Sequence, residues 1–213
     1  MLHIAQKHLR RAITVGAAAL GVAGFLVPAA QAVEIQRVVS PLGIEAWLVQ
    51  DNTVPVIAVN FSFKGGAAQD PEGKAGLTRL LSATLDEGAG EMPSEAYQAR
   101  MEDLSVSIGF NAGKDYFYGS LRTLTPTRDE AFKLLALAVN EPRFDTVAVE
   151  RMKSQIAVGI RRQERDPDSL ASRNLLKAML GDHPYARPTS GTEESLGALS
   201  PADLSAHRKR LFA

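Results

Sequence analysis

Short β-prone runs that come in pairs, each closed by a turn, constrain this fold more than any other feature. Residues 35–39 and 45–50 are rich in β-branched and aromatic side chains, and Pro41-Leu42-Gly43 separates them as a hairpin turn would. Residues 105–110 and 116–123 form a second pair across residues 111–115. Between the pairs, residues 54–63 predict another strand, in which Val59, Phe61 and Phe63 alternate with polar neighbours. Strands joined by turns this short pair antiparallel.

Helical periodicity fills most of the remainder. Leu77, Leu80, Leu81, Thr84 and Leu85 recur at i, i+3, i+4, i+7 and i+8, one buried stripe. Gly88 and Gly90 end that helix. A second opens at Pro93-Ser94-Glu95, and a third over residues 127–139 is expected to bury Phe132, Leu135 and Val139. Residues 145–163 predict a long amphipathic helix that Asp166-Pro167 breaks before a further one over 167–180. Ser200-Pro201 starts the last, with proline in its first turn. Residues 65–73 and 181–185 are expected as loops. Clustered hairpins followed by helices predict an α+β fold: an antiparallel sheet with helices packed on one face, a two-layer sandwich.

The first 32 residues differ from the rest. Lys7, Arg10 and Arg11 precede an uncharged apolar stretch over residues 12–30, and Ala30-Gln31-Ala32 fits a small-x-small cleavage site. These features predict a signal peptide over residues 1–32, an exported and periplasmic protein, and one domain over residues 33–213. The rival reading is an uncleaved membrane anchor, which Gly16, Gly21, Gly24 and Pro28 weaken. Loss of the leader leaves 21 basic against 24 acidic residues, a net charge of −3 that points to neither nucleic acid nor a membrane surface. The chain has no cysteine, so disulfides, thiolate chemistry and cysteine metal ligands are excluded.

Little in the rest has the spacing of a reactive constellation. His183 lies beside Pro184 in a loop and His207 lies among Arg208, Lys209 and Arg210; neither has a second histidine at ligand spacing. Gly73-Lys74 fails as a phosphate-binding loop, with Ala68 at the first glycine and Ala75 at the hydroxyl position. No serine has a Gly-x-Ser-x-Gly context. Asp86 and Glu87 are adjacent and do not face each other on a helix, which predicts solvated side chains. Arg161-Arg162 and 208–210 predict solvated helix faces.

Several ordered stretches resemble the pitrilysin/insulinase family of zinc peptidases, which includes the mitochondrial processing peptidases. They are residues 43–50, Val54-Pro55-Val56, Phe63-Lys64-Gly65-Gly66-Ala67 and Asp70-Pro71-Glu72-Gly73-Lys74-Ala75-Gly76-Leu77. Farther on come Val149-Glu150-Arg151, Asp166-Pro167-Asp168-Ser169, His183-Pro184-Tyr185 with Gly191, and residues 199–204. The resemblance implies a processing-peptidase-like half. Active members carry His-x-x-Glu-His in the helix after the Gly-Leu, which here falls on Arg79, Leu80, Leu81, Ser82 and Ala83. The remaining ligand, a glutamate seven residues after that of the Glu-Arg pair, falls on Ala157. The resemblance therefore implies no metal ligand, no catalytic residue and no cofactor in this chain.

Some family members work as pairs, and the resemblance implies a zinc-free subunit. Such a subunit helps bind peptide and form a chamber in a heterodimer with a zinc-bearing paralogous partner. The alternatives are a stand-alone peptide-binding or scaffold domain, and an active zinc metallopeptidase with relocated ligands drawn from acidic residues and His183. The resemblance also implies a second half and one more strand, against which this sequence reads as truncated after Ala213.

Overall fold

The computed structural model describes residues 34–212, so the expected leader lies outside the described residues. The chain divides into two compact units. In the first, β1 (Ile35–Val39) and β2 (Glu45–Val49) form an antiparallel hairpin in which Arg37 faces Trp47. Arg37 donates to Glu45 at 2.8 Å, and Ser40 closes the turn by accepting from the Ile44 amide through its hydroxyl.

The second unit, residues 54–212, is the α+β layer that the strand pairs predict. β3 (Val56–Lys64), β7 (Tyr116–Leu124) and β6 (Ser107–Ala112) form an antiparallel sheet in the order β3-β7-β6. Along β7 the side chains alternate strictly: Phe117, Leu121 and Thr123 are buried, whereas Tyr116, Tyr118, Arg122 and Leu124 are exposed. One sheet face therefore carries the core and the other faces solvent. Gly119 stands opposite Phe61, whose ring fills the space that a Cβ would need. A two-residue pair, β4 (Gly88–Ala89) and β5 (Met92–Pro93), forms a small turn that strand periodicity is too short to reveal.

α1 (Leu77–Thr84) is the central helix. It packs against β6, α4 (Thr146–Gln163) and α7 (Pro201–Leu211). Leu77, Leu80, Leu81 and Leu85 join Phe117, Val149, Ile156, Leu196 and Leu204 in one core cluster. Thr78 and Ser82 are also buried, so α1 is enclosed more completely than its leucine stripe predicts. The cause is three neighbours rather than one. A second cluster joins α2 (Ser94–Asp103) to α3 (Arg128–Asn140) through Tyr97, Met101, Ile108, Leu121, Ala131 and Leu134.

One expectation is corrected by the burial along α3. α3 buries Ala131, Leu134 and Ala138, while Phe132 is 42% exposed. Small residues on that side let α3 approach the sheet closely, which outweighs the larger apolar stripe. The segment 65–73 is the expected loop, in which Gly65, Gly66, Ala67 and Asp70 are buried and a 3-10 turn spans Ala67–Gln69. α5 (Pro167–Leu180) starts where Asp166 caps the Ser169 amide and buries none of its residues. A short α6 (Glu193–Gly197) opens with a Thr192 capping box, and α7 opens with a Ser200 capping box. No helix among the described residues is long and apolar enough to cross a membrane.

Candidate functional site

Arg79, Ser82 and Ala83 recur at i, i+3 and i+4 and so share one face of α1, and Asp86 follows in the turn beyond its end. Arg79 Nη1 donates to Ser82 Oγ at 3.1 Å, and Ser82 Oγ donates to the Arg79 carbonyl at 2.8 Å. The serine hydroxyl is thereby engaged both as acceptor and as donor. Ala83 and, from α4, Ala157 are half-buried against the same core cluster. Arg79 does not pair with Glu150, whose Oε1 accepts from Lys153 Nζ at 2.9 Å.

These four positions do not suit a divalent cation. A guanidinium has no free lone pair and brings its own positive charge. Two methyl groups and a hydroxyl already engaged add no strong donor, whereas zinc takes imidazole, thiolate or carboxylate ligands. Among the described residues no three His, Asp or Glu side chains converge elsewhere. His183, in its loop, accepts from the Tyr185 amide through Nδ1 and stacks edge-on against that ring, a local turn arrangement.

Asp86 and Glu87 are not the solvated pair expected. Asp86 is half-buried, and that burial lifts its carboxyl to about pH 6. Glu87 accepts from Ser94 Oγ at 2.6 Å and from Arg151, binding the end of α1 to α2 and α4. Arg161 pairs with Glu193 of α6, and Arg208 donates to the Val139 carbonyl at 3.1 Å, so the basic runs also hold neighbouring elements.

The N-terminus of α1 holds a buried polar chain. Asp70 accepts from the amides of Gly76 at 2.9 Å and Thr78 at 3.0 Å, and from Thr78 Oγ1 at 2.5 Å. Burial raises the Asp70 carboxyl above its usual range against these hydrogen bonds. Thr78 Oγ1 lies 2.8 Å from His207 Nε2, and Arg210 Nη2 lies 3.0 Å from His207 Nδ1. Thr78 has one proton, which goes to Asp70. His207 must therefore donate through Nε2–H and accept from Arg210 through Nδ1. Burial and Arg210 hold His207 down to about pH 4, neutral under ordinary conditions. His207, whose neighbours Arg208, Lys209 and Arg210 are expected to be solvated, is itself buried. The missed signal is periodic: His207 lies three residues after the buried Leu204.

Beside α1 runs β6, an edge strand of its sheet among the described residues. Gly113 N donates to the Tyr116 carbonyl, which makes every second pair of the β6–β7 ladder, residues 111, 109 and 107 included, the hydrogen-bonded one. Ile108, Phe110 and Ala112 therefore direct their N–H and C=O groups away from the sheet. Phe110 is half-buried and packs against both core clusters.

The fold and this face together define a peptidase-type α+β half whose central helix lacks metal-binding side chains. Residues 46–193 match the family described as Insulinase (Peptidase family M16), and the chain belongs to that family. It is similar to a protein of Helicobacter pylori described as non-peptidase homolog YmxG, 25% identical over 76% of this chain and 38% of the relative. A Bacillus subtilis protein described as an uncharacterized zinc protease YmxG is 21% identical over 78% of this chain and 41% of its own length. The crystal structure of a peptidase M16 inactive domain from Pseudomonas fluorescens superposes with a TM-score of 0.76 and 30% identity, covering 82% of this chain and 43% of that one. The chain thus spans about two fifths of the length of these relatives.

Proposed function

We propose that this chain is a zinc-free, non-cleaving family member that acts outside the cytoplasm. It binds extended peptide and builds a peptide-enclosing chamber with a zinc-bearing paralogous subunit. The observation that carries the proposal is the chemistry of one face: Arg79, Ser82, Ala83 and Ala157 supply a fixed cation, an engaged hydroxyl and two methyl groups. Hydrolysis of a peptide by this family's route needs a metal-activated water and a base, and that set supplies neither. Similarity to a protein described as a non-peptidase homologue, and to a domain described as inactive, supports the reading. The edge of β6 supports peptide binding, because an extended segment can satisfy its outward N–H and C=O groups by adding a strand.

The test measures three properties of the purified chain. Metal analysis is expected to find no stoichiometric zinc, and a quenched-fluorescent peptide set is expected to stay intact. Co-purification with a paralogue carrying His-x-x-Glu-His is expected to give a stable heterodimer. Bound zinc together with zinc-dependent cleavage by the chain alone would refute the proposal. Peptide binding without any association with the paralogue would move the reading to a stand-alone binding domain.

A further inference from the structure

We propose that a cavity between α5 and the segment leading into α1 binds a short peptide by both of its free ends, the carboxylate on Arg173 and the ammonium on Glu72. The cavity measures about 770 Å³. Pockets of about 300–1,000 Å³ are the size that holds small ligands. One wall is α5, through Arg173, Asn174 and Lys177, and residues 70–72 and 181–192 supply the rest. None of the lining residues belongs to the face of Arg79, Ser82, Ala83 and Ala157, so the site goes beyond the chamber-forming reading. Six charged side chains line it, and four of them are already engaged. Asp70 accepts from the Gly76 and Thr78 amides. Lys177 Nζ donates to Asp182 at 2.7 Å. Arg187 donates to the Asp70 and Ala68 carbonyls, at 3.1 Å each. The other two are of opposite sign, Arg173 on α5 and Glu72 before α1. Among the described residues neither side chain has a hydrogen bond or an ion pair, and the two do not pair with each other.

Arg173 is half-buried, so water screens its charge only in part. A guanidinium in that setting binds a carboxylate in a charge-assisted, two-pronged geometry. Glu72 is exposed and offers its own carboxylate to a cation. A simple anion satisfies Arg173 but is repelled by Glu72, and a simple cation does the converse. A di- or tripeptide with free ends carries both complementary charges, and Pro184, Ala186 and Pro188 give its main chain an apolar wall. The site also has a mechanical side. α5 buries none of its residues and packs chiefly against the Pro184–Ala186 turn. A ligand that joins Arg173 to Glu72 therefore ties a lightly held helix to the loop that feeds α1.

The experiment is isothermal titration calorimetry of the full chain with trialanine, N-acetyl-trialanine, trialanine amide and acetate, at pH ~6.5, where the peptide's α-amino group is protonated. Trialanine is expected to bind. Acetylation and amidation are each expected to weaken it at least ~10-fold, the size of one charge-assisted contact. Arg173→Gln is expected to erase the penalty for amidation and leave that for acetylation, and Glu72→Gln to do the reverse. Arg173→Glu or Glu72→Arg alone is expected to abolish binding, and the two together to restore it with the peptide reversed. Thermal melts confirm that each variant folds. Hydrogen exchange is expected to slow within residues 167–180 when trialanine is bound. Acetate binding as tightly as trialanine makes the cavity an anion site and overturns the proposal. Penalties that survive both glutamine substitutions overturn it, as does exchange protection confined to residues 107–112, which places the peptide on β6. Absence of saturable trialanine binding overturns it outright.

Discussion

Replacing His207 with glutamine should change how this protein's stability responds to acid far more than it changes stability at neutral pH. A glutamine amide donates and accepts as the neutral imidazole does between Thr78 and Arg210, but it does not titrate. In the wild type the imidazole falls from an ordinary 6.5 to about 4 on burial. Between those values the unfolded chain takes up a proton that the folded chain refuses, so folding stability drops as pH falls through the window. The whole interval corresponds to about 3 kcal/mol, of which about 2 kcal/mol is already lost at pH 5. Asp86, lifted to about 6, acts in the opposite sense and returns about 1 kcal/mol over the same range. The wild-type pH profile therefore hides the histidine, and the difference between wild type and variant exposes it. Urea unfolding at pH 7, 6, 5 and 4.5 is the assay. The wild-type advantage over His207→Gln should shrink by about 2 kcal/mol between pH 7 and pH 5. A difference that stays constant across that range, or an imidazole that titrates near 6.5 by NMR, would refute the buried, neutral assignment.

Two further substitutions test the frame. Gly191→Ala should destabilise by more than about 2 kcal/mol in urea unfolding, because φ is +71° there and an added Cβ would sit 2.2 Å from the Ala75 carbonyl oxygen. Gly159→Ala, in α4 with nothing within 4 Å of the new methyl, should stabilise by about 0.5–1 kcal/mol. A Gly191 variant as stable as the wild type would mean that the loops at Ala75 and Gly191 do not cross as described.

Periodicity made most of the architecture legible. The alternation of Val59, Phe61 and Phe63 and the two turn-closed pairs predict strands whose observed ends lie within two residues of those expected. Ser200-Pro201 and Asp166-Pro167 mark helix starts because their side chains and proline rings act locally. What the sequence hid depends on partners distant along the chain. His207 meets Thr78 across 129 positions, and Arg187 donates to the Ala68 and Asp70 carbonyls across 119 and 117. No local pattern encodes such contacts. α3 defeated the stripe argument for a related reason: the close approach of Ala131 and Ala138 is a property of the neighbouring sheet, not of hydrophobicity read along one helix. The candidate face was legible only by resemblance, since composition and spacing alone assign no chemistry to Arg79, Ser82 or Ala83.

The clamp at the head of α1 separates two tasks that share one helix. Asp70, Thr78 and His207 fix where the helix begins, and the leucines fix which way it lies, so the half-buried Arg79 and Ala83 are free of both duties. Changes at those two positions can then alter the chemistry of the face with little disturbance to the frame that presents it. A scaffold divided in this way can change the chemistry of one helix face in a handful of codons while its framework stays put.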